Sequence, residues 1–278
     1  MSATRRHQFD TPEPVALYVE TGSGQIDVTA TGSTTESTVE VTGRRAEEVD
    51  VHLDGRHLRV IAPKDHGGLL GRDTSLLVTV AVPSGSDLAV RTGSADLGVV
   101  GEIAEVAVKS GSGDVRLDVL TDSTTVETGS GDVEVEDARG SVRVKCGSGD
   151  VEVRHSAAEL AVSTGSGDVL LGATRGSVVV KTGSGDVRVV ESHADVALTT
   201  GSGDLQVETA HRGKYSAKGA SGSVHVGIPG GTPVWADIST VSGRIHNAVE
   251  GVGEPTGDAD HVELRATTVS GDVVLVPR

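Results

Sequence analysis

Aromatic residues are almost missing from this chain, which has four in 278: Phe9, Tyr18, Tyr215 and Trp235. So few rings exclude the wide core of an ordinary globular domain, where aromatics supply much of the buried area. The interior must be narrow and built from Val, Leu and Ala. Cysteine is equally scarce, with Cys146 alone. No internal disulfide can form, and the fold does not depend on an oxidising compartment. Basic charge is short as well: 24 Lys+Arg stand against 40 Asp+Glu, for a net charge of −16, and the adjacent basic pairs are Arg5-Arg6 and Arg44-Arg45. That balance argues against nucleic acid as a partner, because phosphate binding needs a basic patch, and it disfavours an anionic membrane surface. No run of 18 apolar residues occurs, so membrane insertion by a helix is not expected. The two N-terminal arginines are not followed by the apolar segment of a signal peptide. The expectation is a cytoplasmic protein, with an extracellular or cell-surface location as the alternative.

What the chain has in abundance is glycine, 38 residues, and much of it is periodic. The tetrapeptide Gly-Ser-(Gly/Ala)-Asp begins at Gly93, Gly111, Gly129, Gly147, Gly165, Gly183 and Gly201, always 18 residues apart. Between these turns apolar and polar residues alternate in two blocks per repeat, as in Val133 and Val135, then Val142 and Val144. Period-two alternation means a strand with one buried face, and β-branched Val suits that pleated surface. Each repeat is therefore two short strands and two turns. A nine-plus-nine division argues against a three-sided coil, which would divide the repeat into three equal parts. An antiparallel meander would leave an uncovered Val face and open edges. The fold class that follows is all-β: a single-stranded parallel β-solenoid, expected to be right-handed, with about 18 residues per coil and strands about 4.8 Å apart.

Toward both ends the register loosens, as in capping repeats. Residues 1–75 are expected to form an N-terminal β cap, 76–212 the regular repeats, and 213–278 irregular C-terminal coils, all in one continuous domain. In the cap, strands are expected over Val15–Glu20, Ile26–Thr29, Thr38–Thr42, Val49–Leu53 and His57–Ile61. Pro63 to Thr74 should be a loop whose Leu69 and Leu70 fold back on the cap. The final Val276-Pro277-Arg278 should blunt the last edge, leaving a monomer or small oligomer.

Stacking turns each repeat position into a column. One column is acidic: Asp96, Asp114, Asp132, Asp150, Asp168, Asp186 and Asp204. Calcium is one way to offset the repulsion of carboxylates about 5 Å apart, as in the β-roll of secreted toxins. However, one carboxylate per coil falls short of the six to eight oxygens calcium prefers. The expected role is structural, each Asp accepting backbone N–H groups in its own glycine turn, so metal ligands and cofactors are assigned to none. A second column, Thr92, Ser110, Thr128, Cys146, Thr164, Thr182 and Thr200, has the parity of buried residues and should satisfy its hydroxyls between strands. No His is placed to activate Cys146. His193 aligns with His211, and His225 with His246, each pair without a third ligand in line. Motifs of hydrolases, phosphate loops, zinc proteases and Cys-x-x-Cys sites are absent.

Ala107, Thr125, Arg143, Ala161, Val179 and Ala197 form an outward column of mostly small residues. A weakly polar patch of that kind is an interface candidate. The other outward column, Arg116, Glu134, Glu152, Leu170, Arg188, Gln206 and His225, is more charged, as a solvated face should be.

Three stretches carry a family resemblance: Phe9-Asp10-Thr11-Pro12-Glu13-Pro14, Val234-Trp235-Ala236-Asp237-Ile238 with Ser242-Gly243-Arg244-Ile245-His246-Asn247, and Val262-Glu263-Leu264-Arg265-Ala266 with Ser270-Gly271-Asp272-Val273. With the Gly-Ser-Gly-Asp-Val repeats, they make the chain resemble a bacterial putative-adhesin family of β-strand-repeat proteins, a domain of unknown function. The resemblance implies a β-helical fold and no catalytic residues, and the family's label implies surface attachment. Trp235 is expected to pack in a widened C-terminal cap. The function expected is a non-catalytic scaffold or interaction protein that binds a protein partner through a flat sheet face. The alternative is a cell-surface adhesin or calcium-stabilised β-roll, and third a carbohydrate-active β-helix enzyme.

Overall fold

The computed structural model describes residues 3–32, 34–63, 75–249 and 260–278. The expected loop contacts of Leu69 and Leu70 lie outside these residues. The chain divides into two compact units, Met1–Gly140 and Ser141–Arg278. In both, strands entering a glycine turn form one face, called face A here, and strands leaving it form face B.

In the second unit, face A stacks Val142–Cys146, Leu160–Thr164, Val178–Ser184 and Val196–Ser202 in parallel, pairing Val142 with Leu160, Leu160 with Val178 and Val178 with Val196. Face B stacks Val151–Ser156, Val169–Thr174, Val187–Ser192 and Leu205–Ala210 in the same way, each strand pairing one 18-residue step along the chain. The expected parallel solenoid is the observed fold. Its core is thin and aliphatic, with Val144, Leu160, Val180, Leu171 and Val189 fully buried. Backbones meet so closely at the turns that a Cβ on Gly167 would lie 1.9 Å from the Gly149 carbonyl oxygen. Glycine repeats there because a side chain would run into the backbone of the preceding coil.

Beyond Ala210 the order of stacking departs from the order of the chain. Gly213–Ser221 still follows Val196–Ser202, and Val224–Ile228 follows Leu205–Ala210. The next coil in space, however, is the last in sequence: Val262–Thr268 pairs with Gly213–Ser221, and Val273–Pro277 with Val224–Ile228. The coil of Val234–Thr240 and Ile245–Asn247 lies outside it. The expectation that Val276-Pro277-Arg278 blunts the outer edge is corrected, because that strand runs inside the stack. Apolar content gives the reason. Val262, Leu264, Val273 and Leu275 are all fully buried, each worth about 1.5–3 kcal/mol relative to an exposed position. The displaced coil has fewer large inward-facing residues to bury.

The first unit shows the same device at its other end. Ala16–Thr21 and Gly24–Thr31 are first in the chain among parallel strands, yet they lie between two later coils. Ala16–Thr21 pairs with both His57–Ile61 and Ser86–Thr92. Gly24–Thr31 pairs with Leu76–Pro83 and with the start of Asp96–Ser110. The outermost strands are antiparallel: Glu36–Gly43 on Leu76–Pro83, Asp50–Asp54 on His57–Ile61, and Ala3–Asp10 on Glu36–Gly43. The strand Ala3–Asp10 is additional to those expected in the cap. Its residues are only half-buried or exposed, a weak alternation carried by polar side chains such as Thr4, Arg6 and Gln8.

Candidate functional site

The outward side of face A is where small residues gather. In the first unit Ala16 pairs beside Asp87, Tyr18 beside Ala89, and Ala89 beside Ala107, which in turn pairs with Thr125. Arg59 flanks Tyr18 on the other side. Because the Ala side chains end at Cβ, the longer neighbours stand above them. An open cavity of about 540 Å³ results, with Ala16, Ala89 and Ala107 among its lining residues and Tyr18, Arg59 and Glu105 around them. In the second unit the same position reads Arg143, Ala161, Val179, Ala197 and Ser216 in unbroken register. Face A also carries an outward ion pair, Lys109 with Glu127 at 3.0 Å, but on face B the column itself is charged. Arg116 is 3.6 Å from Glu134, Arg154 is 3.1 Å from Glu152, and Arg188 is paired with Glu208. Neighbouring charges on face B are thus engaged with one another.

At the glycine turn, each aspartate side chain serves the coil after its own. Asp96 accepts the N–H of Asp114 at 3.0 Å and Asp114 that of Asp132 at 3.1 Å in the first unit. In the second, Asp150 accepts from Asp168, Asp168 from Asp186 and Asp186 from Asp204, each at 2.8 Å. The expected donors within the same turn are replaced by donors one coil away. In the hydroxyl column Thr182 and Thr200 make no side-chain hydrogen bond, contrary to expectation, and the other members work the other way round. Ser110 Oγ accepts from Gly113, Thr128 Oγ1 from Gly131 and Thr164 Oγ1 from Gly167, while Cys146 Sγ accepts from Gly149 at 3.0 Å. Those side chains close their own turns instead of laddering between strands.

At the opposite turn the second unit gathers a group the sequence did not announce. Glu191 Oε1 lies 3.0 Å from Nε2 of His193 and 2.9 Å from Nε2 of His211. The two imidazoles stack with ring centroids 4.2 Å apart and planes 5° from parallel. The pairing of His193 with His211 is as expected, but the absence of a third ligand is corrected. Glu191 sits two residues before His193, so strand parity was the signal that could have found it. Hydrogen bonding to His193 is the main cause that holds the Glu191 carboxyl below its usual pKa, with a further contribution from His211. The other expected pair does not meet: His225 and His246 both pair with Val274, which stands between them. Trp235 is 52% exposed, with the Arg265 guanidinium 5.6 Å from its ring centre. It lies on the outward side of the displaced coil and not in the core.

A family model described as Toastrack DUF4097 matches residues 16–189 and again residues 173–275. The chain belongs to the Toastrack DUF4097 family. No curated protein matches it. Among solved structures similar to this Toastrack chain is a "putative lipid binding protein" from Parabacteroides distasonis, 14% identical with a TM-score of 0.43, the match covering 98% of this chain and 96% of that one. A "putative adhesin" from Parabacteroides merdae is also 14% identical, with a TM-score of 0.40 and coverage of 99% and 95%. Another from Bacteroides fragilis is 11% identical, with a TM-score of 0.37 and coverage of 98% and 97%. Among the described residues no helix is long and apolar enough to cross a membrane.

Proposed function

We propose that this Toastrack protein is a non-catalytic interaction scaffold that binds a protein partner through the outward side of face A. The carrying observation is the cavity over Ala16, Ala89 and Ala107, a recess that small side chains leave on an otherwise continuous strand surface. Backbone hydrogen bonds hold that surface rigid, so a partner side chain can enter without disturbing the fold, and little ordering cost opposes binding. Ala107 and Thr125 form the contact column of the first unit, and Arg143, Ala161, Val179 and Ala197 that of the second. Membership of the family agrees with this reading, as does the way the Ser and Asp side chains at the turns are used for closure and stacking.

The test is affinity capture from the native host with the wild-type chain and two charge-insertion variants, Ala89→Glu/Ala107→Glu and Ala161→Glu/Ala197→Glu. All should give the same β-type circular dichroism, since the substituted side chains point outward. The expected result is that the first variant loses the captured partner. Retention of the partner by both variants would remove face A as the binding surface.

A further inference from the structure

We propose that Glu191, His193 and His211 form a transition-metal site, of the kind that takes Zn²⁺, which staples two neighbouring coils of the second unit. This site is separate from face A, and its success or failure leaves the interaction surface untouched.

The argument begins with the donor set. Two neutral imidazoles and one carboxylate are the ligands Zn²⁺ takes in many three-ligand protein sites, with water completing the tetrahedron. Here all three ligand atoms lie within 4.8 Å of one another. Metal–ligand bonds of about 2.0–2.2 Å give a tetrahedral edge of about 3.3 Å. The two edges from Glu191 Oε1, at 3.0 and 2.9 Å, are within a few tenths of an ångström of it.

A purely hydrogen-bonded cluster leaves one group unsatisfied. His193 Nε2 makes a well-formed hydrogen bond to Glu191 Oε1, whereas His211 Nε2, close to the same oxygen and shielded from solvent, makes none of acceptable geometry. A buried ring nitrogen without an aligned partner carries a desolvation cost, and a shared metal would relieve it. As placed, the stacked rings are 5° from parallel, so to share an ion they would turn about their Cβ–Cγ bonds, a soft torsion, until the in-plane lone pairs converge. The adjacent cation does not block entry: Arg212 donates through Nε to the His193 carbonyl and through Nη1 to Asp260 at 3.5 Å.

Position explains the consequence. Glu191 is the penultimate residue of the strand Val187–Ser192 and His193 follows that strand, while His211 follows the equivalent strand one coil on, Leu205–Ala210. A metal held by all three would tie those coils together beside the point where 18-residue stacking gives way to the irregular end. Binding to the folded state alone raises stability by mass action.

The experiment is calorimetric titration of the untagged full chain with ZnCl₂ at pH 7.5, alongside thermal melts with and without Zn²⁺ and absorption spectra with Co²⁺. Expected are one ion per chain, a raised Tm, and the visible bands of tetrahedral Co²⁺. Affinity should fall at least about tenfold in Glu191→Gln and saturable binding should disappear in His193→Ala/His211→Ala. The control His225→Ala/His246→Ala should keep the wild-type affinity. Metal-free circular dichroism identical to wild type keeps the variants interpretable. Absence of saturable binding by the wild type, or binding that survives loss of both His193 and His211, would overturn the site.

Discussion

The second unit holds two kinds of coil, and the contrast between them is instructive. From Val142 to Ala210, chain order and spatial order coincide, every step is 18 residues and each Asp carboxylate reaches the next coil. From Gly213 onward, steps lengthen to 19 residues, as in Val196 to Tyr215, and then the order itself breaks. Short turns leave a coil no choice of neighbour. The links at 229–233 and 248–261 are longer than those turns, which frees the last coil to take the inner place where its apolar residues gain most. Repetition thus enforces sequence order locally, and burial decides it wherever the links permit.

The sharpest way to probe that contrast is a pair of truncations. Leu171 is 0% exposed inside a regular coil, and Ile245 is 51% exposed in the displaced one. Leu171→Ala should cost about 2–5 kcal/mol and Ile245→Ala less than about 0.5, both read from urea unfolding. Equal losses would mean that the displaced coil is as well covered as the regular ones, and the comparison would collapse.

Tyr215 stands at the junction of the two regions, 3% exposed, in the column that regular coils fill with Val or Leu. Its hydroxyl donates to the carbonyl of Ser192 at 3.1 Å. Burial pushes its phenol from 10.0 up to about 12. The folded pKa is the higher one, so the unfolded chain ionises first. Stability should be unaffected by this residue below pH 10 and decline between pH 10 and about 12, by an amount on the order of 3 kcal/mol. Tyr215→Phe should flatten that decline, although it costs the hydrogen bond. A high-pH unfolding profile identical in wild type and Tyr215→Phe would place the alkaline sensitivity elsewhere.

The smallest effect concerns the aspartate column. Removing the Asp168 carboxylate in Asp168→Ala leaves the N–H of Asp186 without its acceptor at 2.8 Å. The site is exposed, so water replaces much of what is lost and the cost should be about 1 kcal/mol. Additivity of Asp168→Ala with Asp186→Ala, measured by a double-mutant cycle, would show independent rungs. Strong coupling between them would indicate a cooperative ladder in place of separate bonds.

Much of the regular fold was legible in advance. The seven Gly-Ser-(Gly/Ala)-Asp turns in strict register, the two blocks of alternating Val and the parity of Thr128 and Cys146 lead directly to parallel coils with a thin aliphatic core. Spacing alone was enough to align Ala161 with Ala197 in the second unit and Ala107 with Thr125 in the first. The aspartates were read correctly as backbone acceptors, but their donors were assigned to the wrong coil, because a turn's sequence shows what it contains and not what lies above it. Parity places Glu191 beside His193 but does not show that its carboxylate meets both rings, and Trp235 lies outward because its coil is the exposed one at the edge of the stack and not an enclosed cap.

By itself the sequence determined the strand pattern, the length of a coil, the residues that face inward and the turns that only glycine can make, since each follows from local sterics and a repeat of fixed period. Only the tertiary structure decided that the first and last parallel coils lie between later or earlier ones, that Val274 separates His225 from His246, and that one carboxylate oxygen meets two stacked imidazoles. Those outcomes depend on which coil buries the most apolar surface once a long link allows a choice, and that competition is settled in space between residues far apart in the chain.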